Sequence, residues 1–191
     1  MKLVTFREKG KQEQMVGIMK EDAHGILPIK KCGLPYSSMQ ELIEKMNATE
    51  WEQLKREAAK QEPPYQMEDI VLLAPIPKPA QDIICLGVNY RAHAKEAEEF
   101  MHMEFDQAAE KSDNSQAIYP VYFSKRVNAA TAAGQEIPNY SGLVDGLDYE
   151  VELAAIIGKD AKNVPKGSGK DYIFGYTIMN DMSARNLQTR H

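Results

Sequence analysis

The chain has 191 residues, 43% hydrophobic and 27% charged, with a formal net charge of −5. That balance suits a globular protein with one substantial core and excludes a disordered chain. The acidic balance gives no support for a nucleic-acid surface, and no apolar run approaches the roughly 20 residues of a membrane helix.

The N-terminus MKLVTFREKG carries a short apolar run broken by Arg7 and Glu8, so it does not read as a signal peptide. KLVTF (2–6) and MVGIM (15–19) are strand-like runs joined by a polar segment, the pattern of a hairpin. Ser38 with Glu41 three residues on has capping-box spacing and predicts a helix start. A second helix is expected from about Thr49 to Lys60, with Trp51, Leu54 and Ala58 on one face. Pro63-Pro64 ends it, and PIPKPA (75–80) reads as a stiff linker. The expected domains are therefore a small α+β N-terminal domain over 1–75 and a second, strand-rich domain over 76–191. Cys32 and Cys85 are isolated from each other in sequence, which favours reduced thiols and a cytoplasmic location over a disulfide scaffold.

Beyond the linker, DIICLGVN (82–89) reads as a buried strand, with Gly87 where the backbone bends or is closely approached. Tyr90 to about Glu99 has helical character. VYFSK (121–125), DYEVELAAIIG (148–158) and IFGYTIMNDM (173–182) read as further strands. The architecture expected is mainly β or α+β rather than alternating βαβ.

Glu150 and Glu152 lie two apart in a strand and so share a face, with Val151 and Leu153 on the other face and expected in the core. Asp181 ends the next long strand. Together the three carboxylates are an all-oxygen set suited to Mg²⁺, Mn²⁺ or Ca²⁺. The plainer reading of the same spacing is the solvent face of an amphipathic strand. His93 and Glu96, three apart in an expected helical turn, can form a carboxylate–imidazole dyad able to deprotonate water, or a simple surface pair. The segment 97–120 that follows reads either as surface helix and loop or as a lid closing over substrate.

Three motifs in order, G-x-N-Y-x-x-H-x-x-E at 87–96, D-Y-E-x-E-L-A-x-x-I-G-K at 148–159 and F-G-Y-T-x-x-N-D-x-S-A-R-x-x-Q at 174–188, make the chain resemble the fumarylacetoacetate hydrolase family. The resemblance implies a mixed β-sandwich roll as catalytic domain, assembled as a homodimer. It implies Mg²⁺ or Mn²⁺ held by Glu150, Glu152 and Asp181, and His93 with Glu96 as the catalytic pair. Lys125, Arg185 and Gln188 then fall on substrate-binding positions. The implied function is metal-dependent C–C cleavage of an acylpyruvate-type β-diketo or α-keto acid through an enolate. Oxaloacetate decarboxylation and isomerisation of a 2-hydroxy-diene-dioate are alternatives, as is a non-catalytic metal-binding or oligomerisation fragment. The partner expected is a small keto acid, with neither nucleic acid nor membrane. Two residues depart from the family pattern: Arg126 where proline is common, and Asn186 where aspartate is usual. Family members also continue well beyond the position of His191, so the chain resembles the front portion of a longer protein.

Overall fold

The computed structural model describes residues 1–20, 24–87, 89 and 120–188. Among these the elements run β1 (Lys2–Glu8), β2 (Met15–Lys20), β3 (Gly25–Pro28), a 3-10 turn (Ile29–Cys32), α1 (Met39–Lys45), α2 (Ala48–Lys60), β4 (Tyr65–Gln66) and β5 (Ile70–Leu72). There follow β6 (Ile83–Gly87), β7 (Val121–Lys125), β8 (Val151–Ile157), β9 (Ile173–Asn180) and a short α3 (Arg185–Gln188). The chain divides into two compact units, Met1–Pro77 with Ala129–His191, and Lys78–Asn128.

In the first unit the expected hairpin forms, β1 against β2 with Val4 opposite Gly17, and it is extended to an antiparallel sheet in the order β4-β3-β2-β1-β5. Period-2 alternation sends Val16, Ile18 and Leu27 to one face and Phe6 and Ile26 to the other, where Ile70 joins them. Gly17 is required where it stands: a Cβ there would lie 2.5 Å from Ile26 Cγ2 and 2.9 Å from Phe6 Cε1.

The two helices cover the first face. At α1, Ser38 Oγ accepts from the Glu41 backbone N–H, while the Glu41 carboxylate accepts from Ser37 N–H, Ser37 Oγ and Lys45 Nζ. Those bonds, the Ser37 N–H foremost, pull the Glu41 carboxyl down to about 2. At α2 a full capping box closes between Asn47 and Glu50. Leu54 and Ala58 are buried and Trp51 is half-buried, the face expected from their spacing. Each fully buried aliphatic side chain contributes about 1.5–3 kcal/mol of transfer free energy, and Leu27, Ile29, Leu42 and Leu54 are all at 0% exposure.

The same unit contains the β8–β9 hairpin. Ile156 and Phe174 pack against the helix-covered core, and the Phe174 ring meets Trp51 edge-on at 6.4 Å between centroids. The side of the hairpin that docks is thus the side carrying Glu152, Ala154 and Ile156. Here the expectation for Val151 and Leu153 is overturned. They are 69% and 63% exposed, beside Ile157, Tyr176 and Ile178 at 56%, 61% and 75%. Alternation determines which residues share a face, but the layer that covers a face comes from elsewhere in the chain, and among the described residues none covers this one.

In the second unit β6 pairs antiparallel with β7, Ile83 opposite Lys125 and Gly87 opposite Val121. The run 82–89 is not the buried strand expected, since Ile84 is 66% exposed and Leu86 41%. Nor is Gly87 a point of close approach: a Cβ there would sit 3.5 Å from Val121, an ordinary contact. Neither Cys32 nor Cys85 is in a disulfide. Among the described residues no helix is long and apolar enough to cross a membrane.

Candidate active site at the open end of the β8–β9 hairpin

The β8–β9 register carries the expected carboxylates to one end of the hairpin. Val151 pairs with Asn180 and Glu152 with Met179, so the chain ends flanking the ladder are Glu150 and Asp181. The ladder continues beyond the strands. Asp181 N–H donates to Glu150 O at 2.7 Å, and Asp148 and Ser183 exchange two backbone bonds at 2.8 and 2.9 Å. Asn180 Oδ1 accepts from the Glu150 backbone N–H at 3.1 Å, tying the N-D pair of the motif to the glutamate strand.

Glu150 and Glu152 are both half-buried, on the side of β8 opposite Val151 and Leu153. Asp181 is 4% exposed, one of two buried polar or charged side chains among the described residues. The plain reading of E-x-E as a solvent face does not hold: the exposed face of this strand is the apolar one.

The Glu150 carboxylate is closely held. Its Oε1 accepts from Ser183 Oγ at 2.9 Å and from Arg185 Nη2 at 2.8 Å. The same guanidinium binds Asp148 Oδ2 through Nη2 at 2.7 Å and Nε at 2.8 Å, and its Nη1 donates to Gln188 Oε1 at 2.9 Å. Arg185 therefore bridges two carboxylates with the fork geometry that a lysine could not reproduce. Among the described residues no group of three or more His, Cys, Asp or Glu side chains is gathered closely enough to hold a metal ion. The oxygen-only donors Glu150, Glu152 and Asp181 are of the kind a hard dication takes, and in this arrangement Glu150 is paired with the Arg185 guanidinium.

Of the remaining expected site residues, Gln188 is placed beside Arg185. Lys125 ends β7 in the other unit. His93, Glu96 and the segment 97–119 lie outside the described residues. Asn186, at the position where aspartate is usual, donates from Nδ2 to Leu143 O at 3.1 Å, a bond that an ionised aspartate could not make. The sequence reading missed Ser183 as a partner of Glu150. The signal was present in its place within S-A-R, which follows the aspartate after Met182 and meets Asp148 once the strands pair.

The profile of the fumarylacetoacetate (FAA) hydrolase C-terminal family matches residues 82–191, more than half of the chain. The chain belongs to the fumarylacetoacetate hydrolase family. Among curated relatives it is similar to the oxaloacetate tautomerase YisK of Bacillus subtilis, 39% identical over 127 residues, covering 66% of this chain and 38% of the relative. It is also similar to an uncharacterized protein of Staphylococcus epidermidis, 29% identical over 203 residues, covering 100% of this chain and 62% of the relative. The chain thus spans less than two thirds of the length of either relative. Among solved structures, a fumarylacetoacetate hydrolase from Exiguobacterium antarcticum superposes with a TM-score of 0.60 at 24% identity, covering 100% of this chain and 59% of the other. A 5-carboxymethyl-2-hydroxymuconate delta-isomerase from Mycobacterium smegmatis gives 0.57 at 22% identity, covering 100% and 57%. The fold is accordingly the mainly β fold of this family.

Proposed function

We propose that this chain carries part of an enolising site for a short α-keto acid of the oxaloacetate type, moving a proton between keto and enol forms. The observation that supports this best is the inward placement of the carboxylates: Glu150 and Glu152 half-buried on one side of β8, with Asp181 buried at the end of β9. The similarity to an oxaloacetate tautomerase over two thirds of the chain directs that chemistry to oxaloacetate.

Glu150, Glu152 and Asp181 would hold Mg²⁺ or Mn²⁺. Bound there, a hard dication would supply charge stabilisation to the keto oxygen of an α-keto acid as it enolises. The chain's own residues bind and orient the substrate. Arg185 offers a planar fork matched to a carboxylate, and Gln188, already bonded to it, restricts its direction. Lys125 is the further cation assigned to the substrate. His93 and Glu96 are the pair assigned to proton exchange at the carbon next to the keto group. The exposed apolar face of the hairpin supports assembly as a homodimer.

The G-x-N-Y-x-x-H-x-x-E motif favours a second reading, C–C hydrolysis of an acylpyruvate with His93 activating water. The enol absorbance of oxaloacetate and the cleavage of an acylpyruvate, each followed with Mg²⁺ and again with EDTA, separate the two. Enolisation is expected to show Mg²⁺-dependent decay of the oxaloacetate enol, lost in Glu150→Gln and Glu152→Gln. Hydrolysis is expected to show acylpyruvate loss that falls by about 10²–10⁴-fold in His93→Ala. Rates no faster than the protein-free control on both substrates would overturn both readings.

A further inference from the structure

Glu150 presents a problem in charge. Its side chain is 18% exposed, so the carboxylate has lost much of its water and needs replacement partners. Ser183 and Arg185 supply them, both at Oε1. An oxygen that already accepts two hydrogen bonds has no lone pair left for a cation, and a dication a few ångströms from a guanidinium is repelled by it. The arrangement described and a metal-bound arrangement therefore exclude one another at this atom. Arg185 is also free to yield. It lies on a helix of four residues, its side chain is 44% exposed, and its bonds to Asp148 Oδ2 and Gln188 Oε1 do not depend on Glu150.

We propose that Arg185 is the resident counter-cation of Glu150, and that a divalent cation binds by displacing it from that carboxylate. The inference rests on the metal reading above. It adds that Glu150 Oε1 is occupied by the chain's own arginine until the metal arrives, and that metal entry frees the one Nη2–H that faced Glu150, while Nη2 and Nε stay on Asp148 and Nη1 on Gln188. The opposite role is a fixed brace, in which Arg185 holds Glu150 in position for the metal and stays bound to it.

Binding of Mn²⁺ to the full chain, read by the loss of the free-ion electron paramagnetic resonance signal, distinguishes the two roles without any assay of turnover. Removing a competitor tightens binding, so Arg185→Gln and Arg185→Ala are expected to lower the Mn²⁺ dissociation constant by about tenfold, the scale of one charge-assisted hydrogen bond. Binding seen only in these variants and not in the natural chain supports the proposal equally. Unchanged or weaker binding in both variants overturns it and leaves the metal reading intact. Absence of Mn²⁺ binding in every form removes the metal reading and the proposal with it. Should both variants fail to fold by circular dichroism, Arg185→Lys decides: its ammonium cannot fork between Asp148 and Glu150, so Mn²⁺ must still bind more tightly, and equal affinity refutes the displacement.

Discussion

Trp51 and Phe174 join a helix of the first seventy residues to β9, the strand that leads into Asp181, and their removal should show how far that strand depends on the helices. A wholly buried Phe→Ala change costs about 3–5 kcal/mol. Phe174 is half-buried, which scales Phe174→Ala to about 2 kcal/mol. The rings lie 6.4 Å apart with an interplanar angle of 69°, the edge-to-face geometry that adds about 0.5–1.5 kcal/mol beyond area. Trp51→Ala should therefore cost less in the Phe174→Ala background than alone, by about 1 kcal/mol. With a urea m-value of about 2 kcal/mol/M, Phe174→Ala shifts the midpoint by about 1 M, and the coupling appears as about half that. Equilibrium unfolding by far-UV circular dichroism and by Trp51 fluorescence, the latter only where Trp51 is retained, measures both. If the two substitutions add to within about 0.3 kcal/mol, the rings do not anchor the hairpin and the docking described is wrong.

Two further outcomes are expected. The Glu41 carboxyl is depressed to about 2 by its Ser37 and Lys45 partners, so its contribution is present above the unfolded value near 4.5 and is lost as pH falls through about 2. Glu41→Gln should lower the melting temperature at neutral pH and flatten its fall between about pH 5 and about pH 2; parallel profiles would show that these hydrogen bonds do not form in solution. Leu153 and Ile178 stand opposite each other on the exposed face, so replacing both with Thr should change the unfolding free energy by less than about 0.5 kcal/mol while reducing association in sedimentation velocity. Unchanged association would assign the assembly to another surface.

The sequence by itself determined the strands and helices of the first seventy residues, because their signals are local. Alternation in KLVTF, a serine three before a glutamate, and Trp51, Leu54 and Ala58 at helical spacing each act within one turn or one pleat. It also determined that Glu150 and Glu152 share a side of β8, since a strand admits no other arrangement. Three features were decided only by tertiary structure. Which side of β8 is covered followed from Ile156 and Phe174 docking on the α1–α2 layer, a contact between segments a hundred residues apart; so Val151 and Leu153, the more apolar pair, stand in the open. The pairing of β8 with β9 then brought Ser183 and Arg185 to a glutamate more than thirty positions earlier. Last, Asp148 and Glu150 share an arginine, because a half-buried Glu150 needs a partner for its charge and the fold delivers Arg185 to it, and no spacing rule within one strand records where that charge comes from.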